Sequence, residues 1–186
     1  MAKLMSSHQQ NSNNNQKATM RLSILHPAAF VHQVKPLRKR LVGLDVSLST
    51  VGVATSDVDW ITAAPATTLT RNALNDDAIY LKINQYIDST SAGGVVVGWP
   101  LNTRGERDSS CTMVERFVDS LSGRISIPIT LWDERGSSTA AKALLMETSV
   151  NQRQTKRKPR KYDHLAATYM LQSFLDEFSD VSPSNR

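Results

Sequence analysis

From residue 41 onward, short apolar runs alternate with stripes at helical spacing. Leu41-Val42-Gly43-Leu44-Asp45 is an apolar run ending on an acid, and Val51–Ser56 is a second run of β type. The few residues between them predict an antiparallel hairpin, because a parallel crossover needs about a dozen or more. Ala66–Thr70 reads as a weaker third strand. Ile79, Ile83, Tyr86 and Ile87 predict a first helix over Asn75–Ser89. Val95-Val96-Val97, flanked by glycines and stopped by Pro100, has the continuous apolar character of a strand buried on both faces. Val114, Phe117, Val118 and Leu121 mark a second helix. Ile125, Ile127, Ile129 and Leu131 alternate in a fifth strand that ends at Asp133-Glu134-Arg135. Ala140, Ala141, Leu144 and Leu145 suggest a third helix, and Ala167, Met170, Leu171, Phe174, Leu175 and Phe178 give the clearest amphipathic helix.

Strands that first meander and then alternate with helices predict an α/β fold. The expected sheet is mixed and five-stranded, a three-strand meander plus two parallel strands, with helices flanking it. The first strand must leave its second edge to the fourth. Their carboxyl ends then border a crevice, the usual place for chemistry in such sheets.

Charge divides the chain. Residues 1–40 carry seven basic residues and no acid, whereas residues 41–186 hold 15 basic against 17 acidic. The leading segment therefore accounts for the net charge of +5. Ser6–Gln16 is polar and of low complexity, and Met20–Arg40 is acid-free with scattered apolar residues. Residues 1–40 are accordingly expected to be a disordered or transit-peptide-like extension, 41–178 the domain and 179–186 a tail. The expected compartment is the cytoplasm, or a mitochondrion or plastid if the extension is a targeting signal. No run approaches the roughly 18 apolar residues of a membrane span, so no membrane partner is expected. The single cysteine, Cys111, excludes a disulfide scaffold and a cysteine zinc cluster.

Within the body, Arg153, Lys156, Arg157, Lys158, Arg160 and Lys161 crowd into one short stretch. A basic cluster on an otherwise acidic body suits a polyanion met by a local patch, although such a run also serves as an ordinary solvated loop. It directly precedes Asp163, which opens the last helix. Asp45 closes the first strand, and Asp133 and Glu134 close the fifth. Singly, Asp163 fits a helix cap and Asp45 a turn. If these ends converge, their mutual repulsion would be relieved by a hard divalent cation. Trp99 and Trp132 border the same crevice, where one could stack on a base, and core packing is the simpler role for Trp132. His164 more simply packs or faces solvent than acts as a base.

Gly43-Leu44-Asp45-Val46, Val51-Gly52-Val53-Ala54 with Ser56-Asp57, Val95-Val96-Val97-Gly98 with Pro100-Leu101-Asn102 and Gly105, Asp133-Glu134-Arg135, and Asp163-His164-Leu165-Ala166-Ala167 occur in this order. Together they resemble the YqgF (RuvX-like) family, over residues 41–178. The resemblance implies an RNase H-like fold and a nuclease using Mg²⁺ or Mn²⁺. Bacterial members are associated with maturation of the 5′ end of pre-16S rRNA and with Holliday-junction resolution. It further implies Asp45, Glu134 and Asp163 as catalytic metal ligands, with Asp133 as the alternative to Glu134. Neighbouring strand residues face opposite ways, so one of that pair points inward. Arg135 and the basic cluster would hold the RNA or branched-DNA backbone.

Two departures bear on activity. Ser47 and Ser49 stand where the family has a glycine and a basic residue, and Gly136 replaces an apolar residue ahead of Ser137 and Ser138. Ser47 and Ser49 motivate a second reading, a nucleic-acid-binding factor without turnover. A third, an actin-like ATPase, needs a second domain that the chain has no room for. Oligomeric state is not legible.

Overall fold

The computed structural model describes residues 24–71, 76–102, 104–133 and 163–179. Six strands form one sheet: β1 (Ile24–Leu25), β2 (Leu41–Val46), β3 (Thr50–Ser56), β4 (Ala63–Thr70), β5 (Gly94–Trp99) and β6 (Ile129–Asp133). Four helices accompany them: α1 (Pro27–Val34), α2 (Asp77–Thr90), α3 (Ser109–Ser122) and α4 (Asp163–Glu177). The spatial order is β1-β6-β5-β2-β3-β4. β2, β3 and β4 meander antiparallel, while β2, β5 and β6 run parallel. Mixed connectivity of this kind, with β2 pairing β3 on one side and β5 on the other, is the RNase H-like arrangement that the family resemblance implies.

The sheet separates two apolar layers, and strand alternation sets their membership. Val42, Leu44, Val46, Val51, Val53, Val95, Val97 and Ile129 pack against Ile83 and Ile87 of α2 and Phe117 and Leu121 of α3. Leu41, Ala54 and Val96 face the opposite layer, which holds α1 and α4. Its centre is Phe174, whose ring meets Phe30 at 5.9 Å, Trp132 at 5.3 Å and Phe178 at 5.0 Å. Asp108 starts α3 by accepting from the Ser110 and Cys111 N–H groups, at 2.8 and 3.4 Å, which satisfies donors a helix start leaves open. Cys111 is buried in that helix, as filler.

The structure corrects the sequence-based expectations in three places. Residues 24–37 are not part of a loose extension: β1 pairs parallel with β6, and α1 buries Phe30, Val31 and Val34. Pro27 begins α1, where a missing N–H costs nothing. The sheet therefore has six strands rather than five. The last strand starts at Ile129, not Ile125, because Pro128 lacks the N–H needed to carry the ladder further back. The third predicted helix, Gly136 with Ser137 and Ser138, the basic cluster, and the leading segment up to residue 23 lie outside the described residues.

Candidate active site

Asp45 is half-buried near the end of β2, on the face that α4 covers. Leu41 and Gly43 share that face, and Gly43 has Leu171 and the Ala167 carbonyl of α4 directly above it. Asp45 stands opposite Gly52 in β3, and Gly52 stands opposite Thr68 in β4. The Thr68 hydroxyl lies 3.3 Å from His164 Nδ1, in the first turn of α4. Farther along α4, the Gln172 side-chain oxygen accepts from the Ala63 N–H at 2.8 Å. Ala63 opens β4 and Thr68 lies near its end, so α4 runs antiparallel to β4 and β2. Its first residue, Asp163, consequently enters at the end of the sheet where Asp45 lies.

Asp133 lies elsewhere. It is half-buried and pairs with Trp99 at the ends of β6 and β5. Ile129, Leu131 and Trp99 belong to the layer of α2 and α3, and alternation puts Asp133 on that face, opposite to Asp45. Trp132 faces the α4 layer, 5.3 Å from Phe174 and 5.7 Å from Phe178, and so packs in the core rather than offering a stacking surface. Trp99 is a rim residue, with the Arg107 guanidinium 5.4 Å from its ring centre. Glu134, Arg135 and the cluster of Arg153, Lys156, Arg157, Lys158, Arg160 and Lys161 fall outside the described residues. Among the described side chains, no three carboxylate, histidine or thiol groups gather into one cluster.

The turn after Asp45 forms without the expected glycine. Positive φ among described non-glycine residues is confined to Arg38, Trp60 and Ser91, so Ser47 needs no left-handed backbone. Its hydroxyl instead lies 2.7 Å from that of Thr50 and accepts from the Thr50 N–H at 3.1 Å. Sequence reasoning missed a further participant, Arg71. Its guanidinium donates to the Ser47 carbonyl at 2.6 Å, and its backbone N–H donates to the Ser49 carbonyl at 2.7 Å. No motif singles this arginine out. Its only sequence signal is a lone cation just past the third strand.

The family model described as "RuvX: Holliday junction resolvase" matches residues 39–177. A Zymomonas mobilis protein named "Putative pre-16S rRNA nuclease" is 34% identical over 144 residues, covering 77% of this chain and 85% of that protein. A Lachnospira eligens protein of the same name is 39% identical over 143 residues, 74% of this chain and 96% of that protein. Among solved structures, Thermus thermophilus RuvC in complex with a Holliday junction aligns over 75% of this chain and 96% of its own, at 12% identity and a TM-score of 0.45. The match over residues 39–177 and the identity to these relatives establish that the chain belongs to the RuvX family.

Proposed function

We propose that the chain is a nuclease that hydrolyses phosphodiester bonds in structured nucleic acid with the help of Mg²⁺ or Mn²⁺, its substrate being the 5′ end of a small-subunit rRNA precursor. Relatives at 34–39% identity carry the pre-16S rRNA nuclease name, which favours RNA over branched DNA. The observation that carries the reading is the row Asp45–Gly52–Thr68 beneath the start of α4. It sets one carboxylate at the end of the sheet where Asp163 begins its helix.

The residue set fits a hard cation: Asp45, Glu134 and Asp163 offer only carboxylate oxygens, the donors Mg²⁺ and Mn²⁺ prefer. Glu134 is preferred over Asp133 because a strand alternates sides, and Asp133 stands on the face away from Asp45. When bound, such a cation activates water and stabilises the departing oxygen of a phosphodiester. The protein's own part is to hold that cation through Asp45, to bring Asp163 to it on α4, and to steady the strand with Arg135 and the basic cluster. Those cations contact phosphates, so they position the substrate without reading its sequence.

Ser47 and Ser49 would favour a factor without turnover if the turn needed its glycine. Ser47 forms the turn without that glycine, through a backbone of negative φ and its bonds to Thr50. The cation that Ser49 replaces still motivates the second reading, which tight binding without metal-dependent cleavage would support. A targeting role, if the chain has one, falls to residues 1–23, because residues 24–37 serve the fold. A fluorescent fusion of residues 1–23 that stays diffuse in the cytosol overturns that role.

The decisive experiment compares the wild type with Asp45→Asn on a pre-rRNA fragment and on a four-way DNA junction, with and without Mg²⁺. Metal-dependent cleavage of the RNA that the variant loses, with an unchanged fold, is the expected result. Equal activity of the variant rules the assignment out, and preference for the junction transfers the activity to DNA.

A further inference from the structure

Arg71 is nearly enclosed, with 10% of its side chain exposed, and its partner Asp76 is 16% exposed. Nε and Nη2 grip the Asp76 carboxylate at 3.1 and 2.5 Å, while Nη1 reaches the Ser47 carbonyl. The guanidinium carbon lies 5.3 Å from the ring centre of Phe117 on α3. A single side chain thus ties the β2–β3 turn to Asp76, the residue just before α2, and to the body of α3. A planar fork grips the carboxylate bidentately and the carbonyl in a fixed second direction, whereas a lysine ammonium is a compact charge that holds neither direction rigidly. A buried ion pair contributes little net stability after desolvation, so its clearest use is to fix geometry.

The geometry it fixes belongs to the strand of Asp45. Ser47 lies two residues beyond that aspartate, and Arg71 holds both Ser47 and Ser49, the residues that flank the exposed turn tip Leu48. We propose that Arg71 is a positioning residue: by clamping this turn to α2 and α3, it holds the end of β2, and with it the Asp45 carboxylate, in the orientation that binds the divalent cation. This inference rests on the reading of Asp45 as a metal ligand. The serine-containing turn, which lacks the family's basic residue, is braced from the neighbouring strand instead.

The test measures Mn²⁺ binding by calorimetry on the full chain without nucleic acid, beside thermal unfolding. Arg71→Lys is expected to fold and to bind Mn²⁺ about 10-fold or more weakly, the usual scale for residues that orient a ligand from behind. Arg124→Ala is the comparison, because Arg124 also joins α3 to α2, through Asp77 at 2.9 Å and the Tyr80 ring at 4.7 Å, away from the turn. It is expected to bind Mn²⁺ as the wild type does. If Arg71→Lys does not fold, Asp76→Asn loosens the same grip with the arginine retained and gives the same readout. Wild-type affinity in the folded Arg71 or Asp76 variant overturns the positioning role, provided Asp45→Asn has lost binding. Wild-type affinity in Asp45→Asn overturns the metal-ligand reading itself, and the positioning role falls with it.

Discussion

Gly43 and Leu171 meet so closely that a Cβ on Gly43 would stand 2.9 Å from the Leu171 Cβ, and 3.4 Å from the Ala167 carbonyl oxygen. Neither neighbour is the far end of a flexible side chain, so α4 itself must move to admit a methyl group. Replacing a strand glycine by alanine ordinarily gains about 0.5–1 kcal/mol, but overpacking of this kind costs about 1–3 kcal/mol. Gly43→Ala is therefore expected to lower the unfolding temperature. It should reduce cleavage by more than the stability loss explains, because α4 begins with Asp163. Thermal unfolding and a cleavage assay below the transition separate the two effects.

Alternation along β6 sets the face of its last residue, Asp133. Asp133 lies with Ile129 and Leu131 on the side of α2 and α3. Asp133→Asn is expected to retain cleavage that Glu134→Gln loses. Parallel assays of the two purified variants decide this, and equal loss in both would refute the division.

Phe30 is fully buried and packs its ring edge-on to Phe174. Phe30→Ala is expected to cost about 3–5 kcal/mol, as large aromatic truncations in cores do. Chemical denaturation measures it. A cost below about 0.5 kcal/mol, the scale of a surface substitution, would mean that α1 is dispensable to the core.

Burial pushes the Tyr80 phenol above its ordinary 10.0, and nearby Asp76 acts in the same direction, while the Ser120 hydroxyl, Arg71 and Arg124 oppose them. A raised value in the folded state means that the native protein holds this proton more tightly than the unfolded chain does. The associated stability is present below pH 10 and is lost as pH rises beyond it. Tyr80→Phe should flatten the fall in stability on the alkaline side, measured by denaturation across that range.

The sequence showed the sheet's central order because its signals are local and strong: a short hairpin between two apolar runs, then a valine triplet buried on both faces. Asp45 was legible for the same reason, as an acid ending an apolar run. The first two elements were not, since the seven cations before Leu41 dominate the composition and conceal the apolar stripe of Phe30, Val31 and Val34. Alternation alone said that Asp133 and Glu134 face opposite ways. The face that Asp133 itself takes depends on the register of β6, which its pairing with β5 supplies. Arg71 carried no pattern, because its partners Ser47, Asp76 and Phe117 come from three separate elements.

The described borders of the sheet are short or blocked. At one, β1 offers two residues; at the other, β4 includes Pro65, which has no N–H to donate, and its pairing with β3 shifts register at Val53/Ala54. Neither presents the long, flat, unpaired backbone that recruits foreign strands. Among the described residues, the valine-rich sheet thus offers a foreign strand only a two-residue rim at one border and a proline-interrupted one at the other, which makes lateral growth of the sheet unfavourable.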